Sequence, residues 1–240
     1  MFIDQFASQS GAQLSINVHQ ASQFAKSVSG DFNPIHDPGN RRFCVPGDLL
    51  FALAVERYGL ANSMAFHFSG LVSADTPLIF PFEQSDQFQI LDGRGKEYLR
   101  VSRHGERISA NAGVEELIRA YVRFSGQNFP HILVPLMTEQ NVMINAQRPL
   151  VIYQSMSLQL DKLNLTKPTL KLSKTTLKIN GKRGDAHLHF DVLDGPTLIG
   201  RGVKHLILSG LRPFDQGAVD IMVSDYLGWQ SEHSTYKLDR

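Results

Sequence analysis

The chain has 240 residues, 42% of them hydrophobic, 20% charged and 9% aromatic, a globular balance that excludes collagen-like, disordered and disulfide-scaffold classes. Twenty-four Lys and Arg offset 23 Asp and Glu for a formal charge of +1, and no block of one sign supplies the concentrated positive field that nucleic acid or an anionic membrane requires. The lone Cys44 excludes an intrachain disulfide, and the opening MFIDQFASQSG carries an acid where a secretory signal needs a basic region before an apolar run, so a cytoplasmic protein is expected. The most apolar segment, Leu49 to Val55, falls far short of the roughly 20 residues that span a bilayer.

In chain order, QLSINV at 13–18 alternates as a short strand, and Ala21, Phe24, Ala25 and Val28 recur at helical spacing up to Ser29-Gly30. After a Pro-containing loop, Pro46, Gly47 and Asp48 suit a first helical turn and Gly59 a C-cap, which predicts a helix over Pro46 to Tyr58. Its residues from Leu49 to Val55 are apolar on every face, so this helix must be wrapped by other structure. Strand-like segments follow at 64–73, 77–84, 86–91, 97–102 and 107–112, with Asp92-Gly93-Arg94-Gly95 and His104-Gly105 read as hairpin turns.

The same order then returns. Val114, Leu117, Ile118, Tyr121 and Val122 form a helical stripe that ends at Ser125-Gly126, as the first helix ends at Ser29-Gly30, and Val134-Pro135 stands opposite Val45-Pro46. Met156 stands opposite Met64, Gly181 opposite Gly93, and Asp194-Gly195 opposite His104-Gly105. The offsets 125 − 29 = 96, 134 − 45 = 89, 156 − 64 = 92 and 181 − 93 = 88 drift only by loop-sized insertions. Two tandem copies are therefore expected, residues 1–112 and 113–240, each an antiparallel sheet around a helix, with an amphipathic C-terminal helix from Asp215 that covers a sheet or a dimer contact.

The loop after the first helix, FAKSVSGDFNPIHD at 24–37, holds the chemistry. Adding water across an activated double bond needs a base for the water and an acid for the neighbouring carbon, work that the carboxylate of Asp31 and the imidazole of His36 are able to share near neutral pH. Asn33 and Pro34 favour a fixed turn that turns both groups toward one site. The stretch resembles the signature of the MaoC-like (R)-specific enoyl-CoA hydratase (hydratase 2) family, Gly-Asp-x-Asn-Pro-(Ile/Leu)-His, at Gly30, Asp31, Asn33, Pro34, Ile35 and His36. The resemblance implies an α+β double hotdog fold and reversible hydration of trans-2-enoyl-CoA or enoyl-carrier protein. It further implies that Asp31 and His36 activate water and move protons, that Asn33 organises the loop, and that the Gly47 N–H holds the thioester oxygen. A non-catalytic acyl-CoA or acyl-carrier binding or regulatory protein is the alternative.

The second copy reads Gln127, Asn128, Phe129, Pro130, His131, without the acid, and is expected to line an acyl pocket instead of reacting. Arg41 and Arg42, near the loop, are candidates to meet CoA phosphates. His187 and His189 share a strand face with His205 on the neighbouring strand, a spacing better explained by surface histidines than by a metal site; Cys44 suits a small buried role. No organic cofactor is implied; the expected partners are an acyl-CoA or acyl carrier protein substrate and, through exposed sheet edges, a second copy of the chain.

Overall fold

A computed structural model describes residues 2–82 and 85–238. Two short strands, β1 (Ser8–Ser10) and β2 (Gln13–Ser15), lead to helix α1 (Val18–Phe24), which widens into a π-type turn over Ala25–Ser29. Asn17 caps α1, its side chain accepting from the N–H groups of His19 and Gln20. Gly30, at φ +69°, closes the π-type turn. A loop with one 3-10 turn, Pro34–His36, leads into α2 (Gly47–Tyr58). There follow β3 (Leu60–Phe68), β4 (Leu78–Ile79), β5 (Gln87–Asp92) and β6 (Glu97–Ile108). The second pass comprises α3 (Ala112–Gly126), α4 (Asn128–His131), α5 (Leu133–Glu139), β7 (Val142–Met143), β8 (Val151–Leu160), β9 (Pro168–Asn180), β10 (Arg183–Asp194), β11 (Thr197–Ser209), β12 (Arg212–Pro213) and α6 (Gln216–Leu238).

Among the described residues, ten strands form one antiparallel sheet in the order β1-β2-β4-β5-β6-β3-β8-β11-β10-β9. Period-two alternation sets its inner face: Ala186, Leu188, Phe190 and Val192 of β10 are buried while Asp185, His187, His189 and Asp191 point outward. The sheet folds over α2, whose residues from Leu49 to Val55 are all at most 6% exposed. Phe51 shows the wrapping directly, its ring lying 5.0 Å from Phe66 on β3 and 4.5 Å from Tyr121 on α3. This is the α+β double hotdog arrangement, a helix in the grip of a curved antiparallel sheet.

The two halves meet where β3 pairs with β8. Ala65 faces Ser157 there, and Met64 and Phe66 face Leu158 and Met156. Since 157 − 65 = 92 is also the offset between Met64 and Met156, Ala65 pairs with its own equivalent, Met64 pairs with the equivalent of Phe66 and Phe66 with that of Met64, and a local twofold runs through the seam at Ala65 and Ser157. Outward from it, β6 answers to β11 and β5 to β10.

That order corrects three expectations. The segments at 97–102 and 107–112 are one strand, β6, running to Ile108, and His104-Gly105 lies inside it. Gly105, at φ +86°, marks a bulge, where Asn62 accepts the Glu106 N–H at 2.7 Å and donates to the Leu160 carbonyl at 3.1 Å. The counterpart of the Asp92–Gly95 turn is therefore Asp194-Gly195, between β10 and β11, and the turn at Gly181 joins β9 to β10. The segment at 77–84 forms a strand only over Leu78–Ile79, and its residues 83 and 84 lie outside the described residues. The helix opposite α2, α5, is a two-turn, half-exposed element.

Helix α2 ends where Gly59 takes φ +76° and ψ −169°, a region open almost solely to glycine; a Cβ there would lie 2.0 Å from the Ile108 carbonyl oxygen. Gly59→Ala is expected to lower the unfolding free energy by about 2 kcal/mol or more, read from the midpoint of urea unfolding followed by circular dichroism.

Candidate active site

The loop from Gly30 to Val45 is built by short-range hydrogen bonds. Asp31 Oδ1 accepts the Asn33 N–H at 2.8 Å, Asn33 Oδ1 accepts the Ile35 N–H at 3.1 Å, and Asn40 Nδ2 donates to the Pro34 carbonyl at 2.8 Å. These successive Asx turns orient the Asp31 carboxylate and the His36 imidazole. His36 Nδ1 lies 2.8 Å from the Cys44 carbonyl oxygen, which only accepts, so Nδ1 carries the proton and Nε2 is turned to Asp31. Nε2 and Asp31 Oδ2 are 3.6 Å apart. One water oxygen between them reaches both.

Both groups line a cavity of about 420 Å³ between the halves. Asn33 and Gly47 also line it. Gly47 opens α2, where the first N–H groups have no acceptor within the helix and the helix dipole places partial positive charge. A side chain here would not fit, because a Cβ on Gly47 would sit 2.8 Å from the Tyr153 ring. Of the two arginines expected to meet phosphates, Arg42 lines the cavity; Arg41 is exposed and is not among the lining residues. Asn128 and Phe129 of the second copy's loop line the cavity, while His131 is exposed.

Deeper in the cavity lies a cluster that sequence reasoning missed: Asp48 on α2, Ser125 at the end of α3 and Lys204 on β11, all buried. Lys204 Nζ donates to Ser125 Oγ, whose hydroxyl donates to Asp48 Oδ2. Nζ and Asp48 Oδ1 are 3.9 Å apart. Burial pushes the Asp48 carboxyl up and the Lys204 amine down, and the opposite charge of each resists the shift in the other. The Lys204 ammonium lies 4.2 Å from the centre of the Tyr153 ring, and the Tyr153 and Tyr121 hydroxyls are hydrogen-bonded to each other. The available signal was period two on β11: Gly202, Lys204, Leu206 and Leu208 all point inward, so a lysine stands at a core position.

The expected C-terminal helix is α6, and it covers both the second core and the cavity mouth. Val219 packs with α5 and the sheet, and Met222, Asp225, Tyr226 and Trp229 line the cavity at one-face spacing. The Tyr226 hydroxyl accepts the Phe32 N–H at 3.1 Å and lies 3.3 Å from the Gly30 and 3.2 Å from the Gly126 carbonyl oxygens. Gly30 and Gly126 are the glycines that close the first helix of each copy, so one side chain ties both loops together. Gly126 packs directly on the first copy, as a Cβ there would lie 2.2 Å from the Ser29 carbonyl oxygen.

On the outer face of the sheet, His187 stacks on its cross-strand neighbour His205 with ring centres 4.3 Å apart. His205 Nε2 meets Asp185 at 2.8 Å, and Asp185, also held by Arg183, is pulled down to about 2. These histidines belong to the surface of the sheet, away from the cavity.

Residues 1–217 match the family described as "Protein of unknown function (DUF3581)". No curated protein matches the sequence. Similar solved structures include a tesB protein of Mycobacterium avium subspecies paratuberculosis, at 7% identity over 86% of this chain and 96% of that one, with a TM-score of 0.47. An acyl-CoA thioesterase II, TesB2, of Mycobacterium marinum matches at 10% identity over 90% and 99% of the two chains, with a TM-score of 0.42. A MaoC-like dehydratase matches at 8% identity over 85% and 98%, with a TM-score of 0.41.

Two outcomes follow from the site geometry. Burial, with the Asp31 charge, raises the Cys44 thiol to about 12, so it stays protonated at pH 8; a disulfide reagent such as Ellman's should leave the folded protein unlabelled and titrate one thiol per chain in urea. Tyr226→Phe strips the buried Phe32 N–H of its acceptor and should cost about 1–3 kcal/mol in urea unfolding.

Proposed function

The chain belongs to the DUF3581 family, and for its site we propose the reversible, (R)-specific hydration of a trans-2-enoyl thioester. The observation that carries this reading is the facing pair of Asp31 Oδ2 and His36 Nε2, 3.6 Å apart, in the same cavity as the N-terminus of α2. A water held by both groups is polarised by an acceptor on each side. Its oxygen bonds to the β-carbon of the enoyl group, its O–H bond breaks toward the Asp31–His36 pair, and the π electrons move to the thioester oxygen. The Gly47 N–H, with the helix dipole behind it, holds the enolate oxygen as its charge develops. Collapse of the enolate takes a proton from the same pair onto the α-carbon, which leaves a 3-hydroxyacyl thioester and restores the pair.

Each atom of the loop has a place in this sequence. Asp31 Oδ1 is occupied by the Asn33 N–H, which leaves Oδ2 for the water; the Cys44 carbonyl fixes the His36 tautomer, which leaves Nε2 as the base. Leu71, Phe129, Met222 and Trp229 supply an apolar mouth for the thioester arm, with Arg42 the cation on its rim. The handle of the substrate is CoA or a carrier protein, and either places its thioester at Gly47.

Crotonyl-CoA and hexenoyl-CoA should be converted to the (R)-3-hydroxyacyl products, with Asp31→Asn and His36→Ala each lowering kcat/KM by about a hundredfold or more at unchanged fold. Turnover that survives both substitutions defeats the assignment. Release of free CoA would transfer it to thioester hydrolysis, and saturable binding without product to a non-catalytic acyl-thioester binding protein.

A further inference from the structure

The inner end of the cavity holds hydrogen-bonding capacity that the hydration does not use. An ammonium group has three N–H donors, and Lys204 spends one on Ser125 Oγ. A carboxylate has two accepting oxygens, and Asp48 spends Oδ2 on the Ser125 hydroxyl, while its Oδ1 is buried without a hydrogen-bond partner. Both side chains are more than nine-tenths buried, and both line the cavity. Their free ends, Nζ and Oδ1, stand 3.9 Å apart, too far for a direct hydrogen bond. An oxygen about 2.8 Å from each closes the gap.

The order of donor and acceptor selects the chemistry of that oxygen. It must accept from Nζ and donate to Oδ1, which a hydroxyl does with a single atom. A ketone or ester carbonyl only accepts and would leave Oδ1 bare; a carboxylate would set a second negative charge against Asp48; an alkyl chain would satisfy neither group. The same cavity is also lined by Leu50, Val151 and Leu206, apolar wall that suits a hydroxyl carried on a hydrocarbon chain.

We propose that Lys204 and Asp48 form a subsite for a hydroxyl group on the acyl chain, beyond the carbons that react, so that the ligands of this cavity are hydroxylated acyl thioesters. The inference rests on the acyl-thioester reading of the cavity, and adds to it a preference that hydration alone does not require. Ser125 is its positioning residue, bridging the two charged groups and setting the gap between them.

Trp229 is the only tryptophan of the chain and lines the cavity, so its fluorescence reports binding without turnover. The full chain is titrated with hexanoyl-CoA and with its 4-, 5- and 6-hydroxy counterparts, all saturated and thus inert to hydration. At least one hydroxylated ester is expected to bind roughly tenfold tighter than hexanoyl-CoA, a hydrogen bond to a charged group being worth that much. Lys204→Met should abolish the difference, and Asp48→Asn, which keeps the shape and an accepting oxygen, should reduce it. Equal affinity of the wild-type chain for all four esters overturns the subsite, since the gap then holds only water, and leaves the acyl-thioester reading standing. Failure of every ester to bind removes that reading and the subsite together.

Discussion

A helix without a polar face has to be enclosed, and the rest of this molecule follows from enclosing α2. With Leu49 to Val55 apolar all round, burial removes a full turn-by-turn belt of side chains from water, at roughly 25 cal/mol for each Å² hidden. The sheet supplies one side of the enclosure and α3 the other, with Phe51 between Phe66 and Tyr121. Enclosure creates a second demand, because both ends of the helix carry backbone groups that the helix itself does not satisfy. At the C-terminal end the buried Arg103 answers, its Nη1 donating to the Tyr58 carbonyl at 2.7 Å and its Nη2 to the Ser85 carbonyl at 3.0 Å. At the N-terminal end the cavity opens. The fold thus closes one end of its central helix with protein and leaves the other facing the cavity.

What was legible in the sequence was what local spacing encodes. Asp31, Asn33 and His36 sit within one loop whose turns close over two or three residues, and Gly47 follows eleven positions after His36, so a single stretch of chain carried the pattern. The cluster beneath them was not legible in that way, because Ser125 reaches Asp48 across 77 positions and Lys204 reaches Ser125 across 79. Lys204 and Arg103 share a weaker signal, a cation at an inward position of an alternating strand, with Leu99 and Val101 preceding Arg103 on the same face. The misplaced hairpins have a plain cause as well: a glycine at positive φ reads alike in a turn and in a bulge, and Gly105 belongs to a bulge.

The two halves divide the site between them. The Asp31 carboxylate, the His36 imidazole and the opening of α2 come from the first half; Ser125, Tyr153 and Lys204 come from the second. The second copy of the loop contributes wall through Asn128 and Phe129, while Gln127, which stands where the first copy has its acid, is exposed. α6 stands outside the repeat and reaches over the mouth, and its Tyr226 holds the two glycines that mark corresponding points of the copies.

The seam between β3 and β8 has a consequence for what such a chain is free to become. In an assembly of two identical subunits across a twofold axis, every substitution is made twice, so a wall cannot be altered without altering the catalyst related to it by symmetry. Here Ala65 faces Ser157 along a single polypeptide, and the positions on either side of the axis answer to different codons. An aspartate can be kept at one and exchanged for glutamine at the other, and a lysine can be set into one half of the sheet without burying its twin in the other half. Covalent fusion turns a mirrored pair of sites into one site with two independently adjustable sides.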